Sequence, residues 1–86
     1  MKHELKCLPK FFQAAWVGDK TFEIRKNDRE FAERDEIVLQ EFNQGKSDED
    51  EYYSDREIDG VITYLTDFKQ KPGYVVFGFR ITGQRE

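Results

Sequence analysis

The sequence predicts a mostly β chain, five strands with one early helix, that folds as a small α+β unit or a partly open barrel. Three observations predict it. Apolar and polar residues alternate along several short runs, which is the period of half-buried strands. One run alone, Phe11, Phe12, Ala15 and Trp16, repeats at near-helical spacing. Eight Phe, four Tyr and one Trp in 86 residues supply enough ring area to close a core in a chain of this length.

The first strand is expected over about residues 2–8, with His3, Leu5 and Cys7 on one side and Glu4 and Lys6 on the other. Pro9 suits the first position of a helix, where its missing N–H costs nothing. The helix is expected over about 9–18, ended by Gly18, which accepts a left-handed backbone without a Cβ clash. So short a helix is marginal alone and needs Phe12 and Trp16 packed onto a sheet. A second strand follows over about 21–26. Its period-2 alternation places Thr21, Glu23 and Arg25 on one face and Phe22 and Ile24 on the other, read as a charged face and a buried face. Asn27-Asp28-Arg29 forms a turn. A third strand covers about 36–42 and a fourth about 56–65. Between them, residues 43–55 carry the acidic run Asp48-Glu49-Asp50-Glu51 and are expected to form a mobile loop, since like charges this dense resist burial. Lys71-Pro72-Gly73 is a turn signature. The last strand, about 74–81, puts Val75, Phe77, Phe79 and Ile81 on one face.

Length fits one domain, residues 1–86. Cys7 is the only cysteine, so no internal disulfide forms within the chain. No apolar run approaches the ~20 residues that cross a bilayer, and the N-terminus lacks the apolar stretch of a signal peptide. The expected location is the cytoplasm, with no membrane partner. The formal net charge of -4 weakens non-specific attraction to polyphosphate. The charge is uneven, however. Residues 1–29 hold seven Lys or Arg against four acids, and the remainder holds seven against fourteen.

The basic excess surrounds Gly18-x-Lys20-x-x-Glu23-x-Arg25. This combination resembles the signature of ASCH domains, a branch of the PUA-like barrel superfamily. His3-Glu4-Leu5-Lys6, Phe22 to Asp28, Arg56-Glu57-Ile58, Ile62-Thr63-Tyr64 and Gly73-Tyr74-Val75-Val76 resemble successive segments of a small bacterial and phage subfamily. The resemblance implies a five- to six-stranded PUA-like β-barrel whose helix lies beside a cleft lined by the signature residues. RNA or a nucleotide-like molecule is the partner it implies; no cofactor is expected, because the sequence carries no phosphate-cradling glycine loop or other cofactor motif. One branch of the superfamily hydrolyses an acetylated cytidine with a lysine and a threonine three residues later. Here Glu23 stands where that threonine would be, so binding is the expectation and amidohydrolysis by Lys20 and Glu23 the alternative.

Read as chemistry, Lys20 and Arg25 suit anionic or carbonyl groups, and Glu23 accepts from a ligand amine or acts as a base. Lys26 and Arg29 extend the basic patch, with solvated surface as their plainer role. His3 has no second metal-ligating neighbour in suitable spacing, so no metal site is expected, and it is placed near the cleft. A third possibility, a protein-interaction module, rests on the acidic run. Oligomeric state is not encoded in any motif.

Overall fold

A computed structural model describes residues 1–45 and 52–86. Five strands form one sheet in the order β1-β3-β4-β5-β2. They are β1 (Lys2–Cys7), β2 (Phe22–Lys26), β3 (Glu36–Asn43), β4 (Tyr52–Thr66) and β5 (Tyr74–Arg85), with one helix, α1 (Pro9–Trp16), between β1 and β2. β1 runs parallel to β3, and all other pairings are antiparallel.

The alternation seen in the sequence sets the inner face. Leu5 and Cys7 of β1, Ile37 and Leu39 of β3, Ile58 and Ile62 of β4, and Val75, Phe77 and Phe79 of β5 are all buried. Phe12 and Ala15 of α1 close one end of this core. Phe31, from the β2–β3 connection, adds a ring that meets Phe77 at 5.1 Å between centroids. β4 is long and carries register shifts at Asp59/Gly60 and Ile62/Tyr64, which let it bend around the core. Gly60 sits at the first of these. A Cβ there would lie 3.1 Å from the Arg80 carbonyl and 3.2 Å from the Phe79 ring, so the crossing has no room for a side chain.

The sheet curls into a half-barrel rather than closing. No backbone ladder joins its edges, β1 and β2, among the described residues. Two arginines bridge the gap instead. Arg25 Nη2 donates to the Lys6 carbonyl at 2.7 Å, and Arg29 Nη1 donates to the Glu4 carbonyl at 2.6 Å. Carbonyls two residues apart lie on the same side of a strand, so both arginines satisfy the same unpaired edge of β1.

Several expectations change. The helix stops at Trp16, and Gly18 (φ +86°) follows it in the turn that satisfies the last helical carbonyls. The segment expected to be a 43–55 loop is shorter at both ends, because β3 runs to Asn43 and β4 begins at Tyr52. Cross-strand pairing of Asn43 with Tyr52 and Phe42 with Tyr53 outweighs the polar composition there. The acidic run itself lies outside the described residues. The faces of β2 are reversed: Glu23 is buried, at 4% exposure, while Phe22 and Ile24 are 45% and 59% exposed.

Candidate functional site

The reversal of β2 has a chemical cause. Glu23 enters the interior already neutralised, so its burial does not leave an unpaired charge. Arg25, two residues on and therefore on the same face, donates to Glu23 Oε1 through Nε at 2.9 Å and Nη2 at 2.7 Å. Lys20 reaches Glu23 Oε2 from the turn after α1 and also donates to the Phe22 carbonyl at 2.7 Å. The turn that places Lys20 is fixed by Gly18: the amides of Asp19 and Lys20 both bond to the Ala14 carbonyl. The cation–carboxylate–cation triad carries a net charge of +1.

These three side chains line a cleft of about 480 Å³. Its remaining walls come from Lys6, Cys7 and Leu8 at the end of β1, Phe11 of α1, and Phe22 and Ile24 of β2. Phe11 is 44% exposed, so it leaves the core stripe to which its helical spacing assigned it and faces the cleft. Lys20 Nζ lies 5.7 Å from the Phe11 ring centroid and 5.1 Å from that of Phe22, within cation–π reach of both. The hollow is apolar at its sides and charged at its base. Cys7 borders it with a buried thiol. Burial, with the Glu23 carboxylate adding to it, pushes the thiol up to about 11 against the opposing pull of Lys20 and Arg25.

The donor inventory shows what the triad has left over. A lysine ammonium carries three protons, and Lys20 places two of them on Phe22 and Glu23. Arg25 uses Nε and Nη2, while its Nη1 has no hydrogen-bond partner among the described residues. Glu23 retains lone pairs on both oxygens. The base of the cleft can therefore offer donors and an acceptor side by side.

The other residues singled out in the sequence fall elsewhere. His3 does not line the cleft. It is buried and pairs through Nε2 with Asp35 Oδ2 at 2.8 Å, with the Phe31 ring edge-on at 4.8 Å. Arg29 is the edge bridge described above, with Asp28 3.9 Å away. Lys26 is exposed on the outer face, where it pairs in register with Tyr74.

A second buried carboxylate escaped the sequence reading. Glu41 shares the inward phase of Ile37 and Leu39, an acid where a hydrophobe is expected, and that phase was the available signal. Arg56 grips it with two 2.9 Å bonds, and Ser54 Oγ donates at 2.5 Å. The Arg56 guanidinium stacks 4.9 Å from the Trp16 ring and bonds Gln13 at 3.1 Å, fastening α1 to β4. The Arg56 hydrogen bonds, with help from Ser54, hold the Glu41 carboxyl below its usual range despite burial.

A five-stranded curled sheet with a helix-flanked cleft at one end defines a small, β-rich protein class, and no described helix is long and apolar enough to cross a membrane. Within that class, the chain belongs to the family described as Domain of unknown function (DUF3850), whose family model matches residues 2–79. It is also similar to the "Uncharacterized 12.9 kDa protein in GpA 3'region" of Escherichia phage P2. The two are 32% identical over 82 residues, which cover 95% of this chain and 70% of the phage protein.

Proposed function

We propose that the protein is an ASCH-type, PUA-like barrel that binds a nucleobase, as a nucleotide or within RNA, in the cleft above Glu23. The observation that carries this reading is the pairing of exposed aromatic rings with the unspent hydrogen bonds of one buried triad. A planar heterocycle stacks against Phe11 or Phe22, as bases do on aromatic side chains. Its carbonyl accepts from Lys20 or from Arg25 Nη1, and its exocyclic amine donates to Glu23. A base edge with a carbonyl beside an amine, as in cytosine or guanine, suits this set. Binding is favoured over hydrolysis because Lys20 and Glu23 are committed to each other, leaving neither as a free base or nucleophile.

Calorimetric titration with cytidine and guanosine monophosphates tests the reading. Phe11→Ala and Lys20→Met should each weaken binding by roughly 5- to 100-fold, the range expected for loss of a stacking ring or a charged donor. Lys2→Ala, exposed and outside the cleft, should leave affinity unchanged. Equal affinity in the Phe11 and Lys20 variants, with their folds intact by circular dichroism, overturns the assignment.

A further inference from the structure

Ile24 lines not only the cleft but also a second hollow of about 330 Å³, shared with Lys69, Gln70, Lys71 and Tyr74. The two spaces therefore adjoin across one side chain on the outer face of β2. Lys69 and Lys71 stand in the β4–β5 turn, and Lys26 lies opposite Tyr74 in the β2–β5 register. This places three lysines around one exposed ring in a protein whose net charge is -4. None of the three forms an ion pair with a described residue. The surrounding face is apolar as well as basic. Phe22, Gly78 and Tyr64 form one cross-strand row. Phe68 is 70% exposed, and the Lys69 ammonium lies 5.5 Å from its ring. The turn is held in shape by bonds from the Gln70 amide to Asp67 and from the Tyr74 amide to Lys71.

Lysines interleaved with exposed aromatic rings are the chemistry of a surface that follows a phosphate backbone while bases stack beside it. We infer that the hollow formed by Lys69, Lys71 and Tyr74 is a backbone subsite for single-stranded nucleic acid, continuing from the base held in the cleft. This deepens the nucleobase reading and rests on it. The preferred ligand is then an oligonucleotide rather than a free nucleotide. The strand leaves the cleft over Ile24 and sets its flanking phosphates against Lys69 and Lys71, with Tyr74 or Phe68 stacking a neighbouring base. Asp67, in the same turn, borders a further hollow that shares Gln70, Lys71 and Tyr74 with this one.

Fluorescence anisotropy with labelled twelve-nucleotide RNA and DNA strands of mixed sequence, alongside calorimetry with cytidine monophosphate, tests this. The strands should bind at least tenfold tighter than the mononucleotide at low salt. The double variant Lys69→Ala/Lys71→Ala should remove most of that gain and lower the slope of log affinity against log salt by about 1 to 1.5, as for two lost phosphate contacts. Mononucleotide affinity should stay unchanged in the double variant. Comparing the RNA and DNA arms shows which sugar the surface prefers. Strands that bind no tighter than the mononucleotide, or equally well to the double variant, overturn the subsite and leave the cleft reading standing. Lysine-dependent strand binding that is indifferent to both Phe11→Ala and Lys20→Met overturns the cleft reading and with it the continuation into this hollow. A poly-glutamate peptide that binds through the same lysines while neither strand binds overturns the assignment in favour of an acidic protein partner.

Discussion

Among the described residues, each buried acid is met by its own set of donors. Glu23 has Lys20 and Arg25, Glu41 has Arg56 and Ser54, and Asp35 has His3, the Ala32 amide and the N-terminal ammonium. The pairings carry a pH dependence whose sign is fixed. The His3 hydrogen bond first, then the backbone amide and the N-terminus, lower the Asp35 carboxyl, and Arg56 does the same for Glu41. A depressed carboxyl stabilises the fold above its unfolded value and loses that contribution as pH falls through the folded one. Denaturant midpoints should therefore be level from about pH 7 to about pH 5 and drop below about pH 4, the ordinary carboxylate range. Glu41→Gln should cost about 1–3 kcal/mol at neutral pH by leaving Arg56 half-satisfied, and it should flatten the acid limb. A steep, unaltered acid limb in that variant would place the titration elsewhere. Glu23 and Arg25 were legible in the sequence as neighbours through period-2 alternation, and Lys20 joined them through the resemblance of Gly18-x-Lys20-x-x-Glu23-x-Arg25 to a known signature. Their burial was not legible. Alternation says which side chains share a face, whereas mutual neutralisation decides that the charged face can turn inward.

Among the elements, β2 is one of the two edge strands of the sheet and pairs on one side alone, with β5. The other side meets β1 through Arg25 and Arg29 in place of a ladder. Such side-chain bonds hold an edge while leaving a gap, and that gap is what opens the cleft beside Lys6 and Cys7. Arg29→Ala should destabilise the fold by about 1–2 kcal/mol, the scale of a charge-assisted bond to a carbonyl. It should also speed amide exchange in β1 more than in β3 or β4. Unchanged exchange in β1 would show that the arginine is ordinary solvated surface. The strands themselves were readable from apolar alternation in β1, β3 and β5. Their limits were harder to place, because long-range pairing sets them. Tyr52 to Asp55 are polar by composition, yet they extend β4 because β3 offers partners through Asn43. On the far side, β5 runs past Ile81 to Arg85 by pairing with Glu57 and Asp59, whose carboxylates also receive the Arg85 guanidinium.

Taken whole, the molecule is an acidic half-barrel with Lys6, Lys20 and Arg25 lining one cleft, Lys69 and Lys71 lining the adjoining hollow, and Lys26 on the outer face of β2. On the proposed reading, that distribution gives a chain with little general attraction for polyphosphate a local place for an anion-bearing base. The uneven charge was visible in the sequence as an N-terminal basic excess. The contribution of Lys69 and Lys71 was not, since only the β2–β5 pairing brings their turn beside Ile24. The most direct measurement is a ¹H–¹⁵N chemical-shift titration of the protein with cytidine monophosphate. The largest shifts should fall at Lys6 to Leu8, Phe11 and Lys20 to Arg25. A spectrum that does not move, or one that moves only around Tyr53 to Glu57 on the other side of α1, would contradict a base-binding cleft above Glu23.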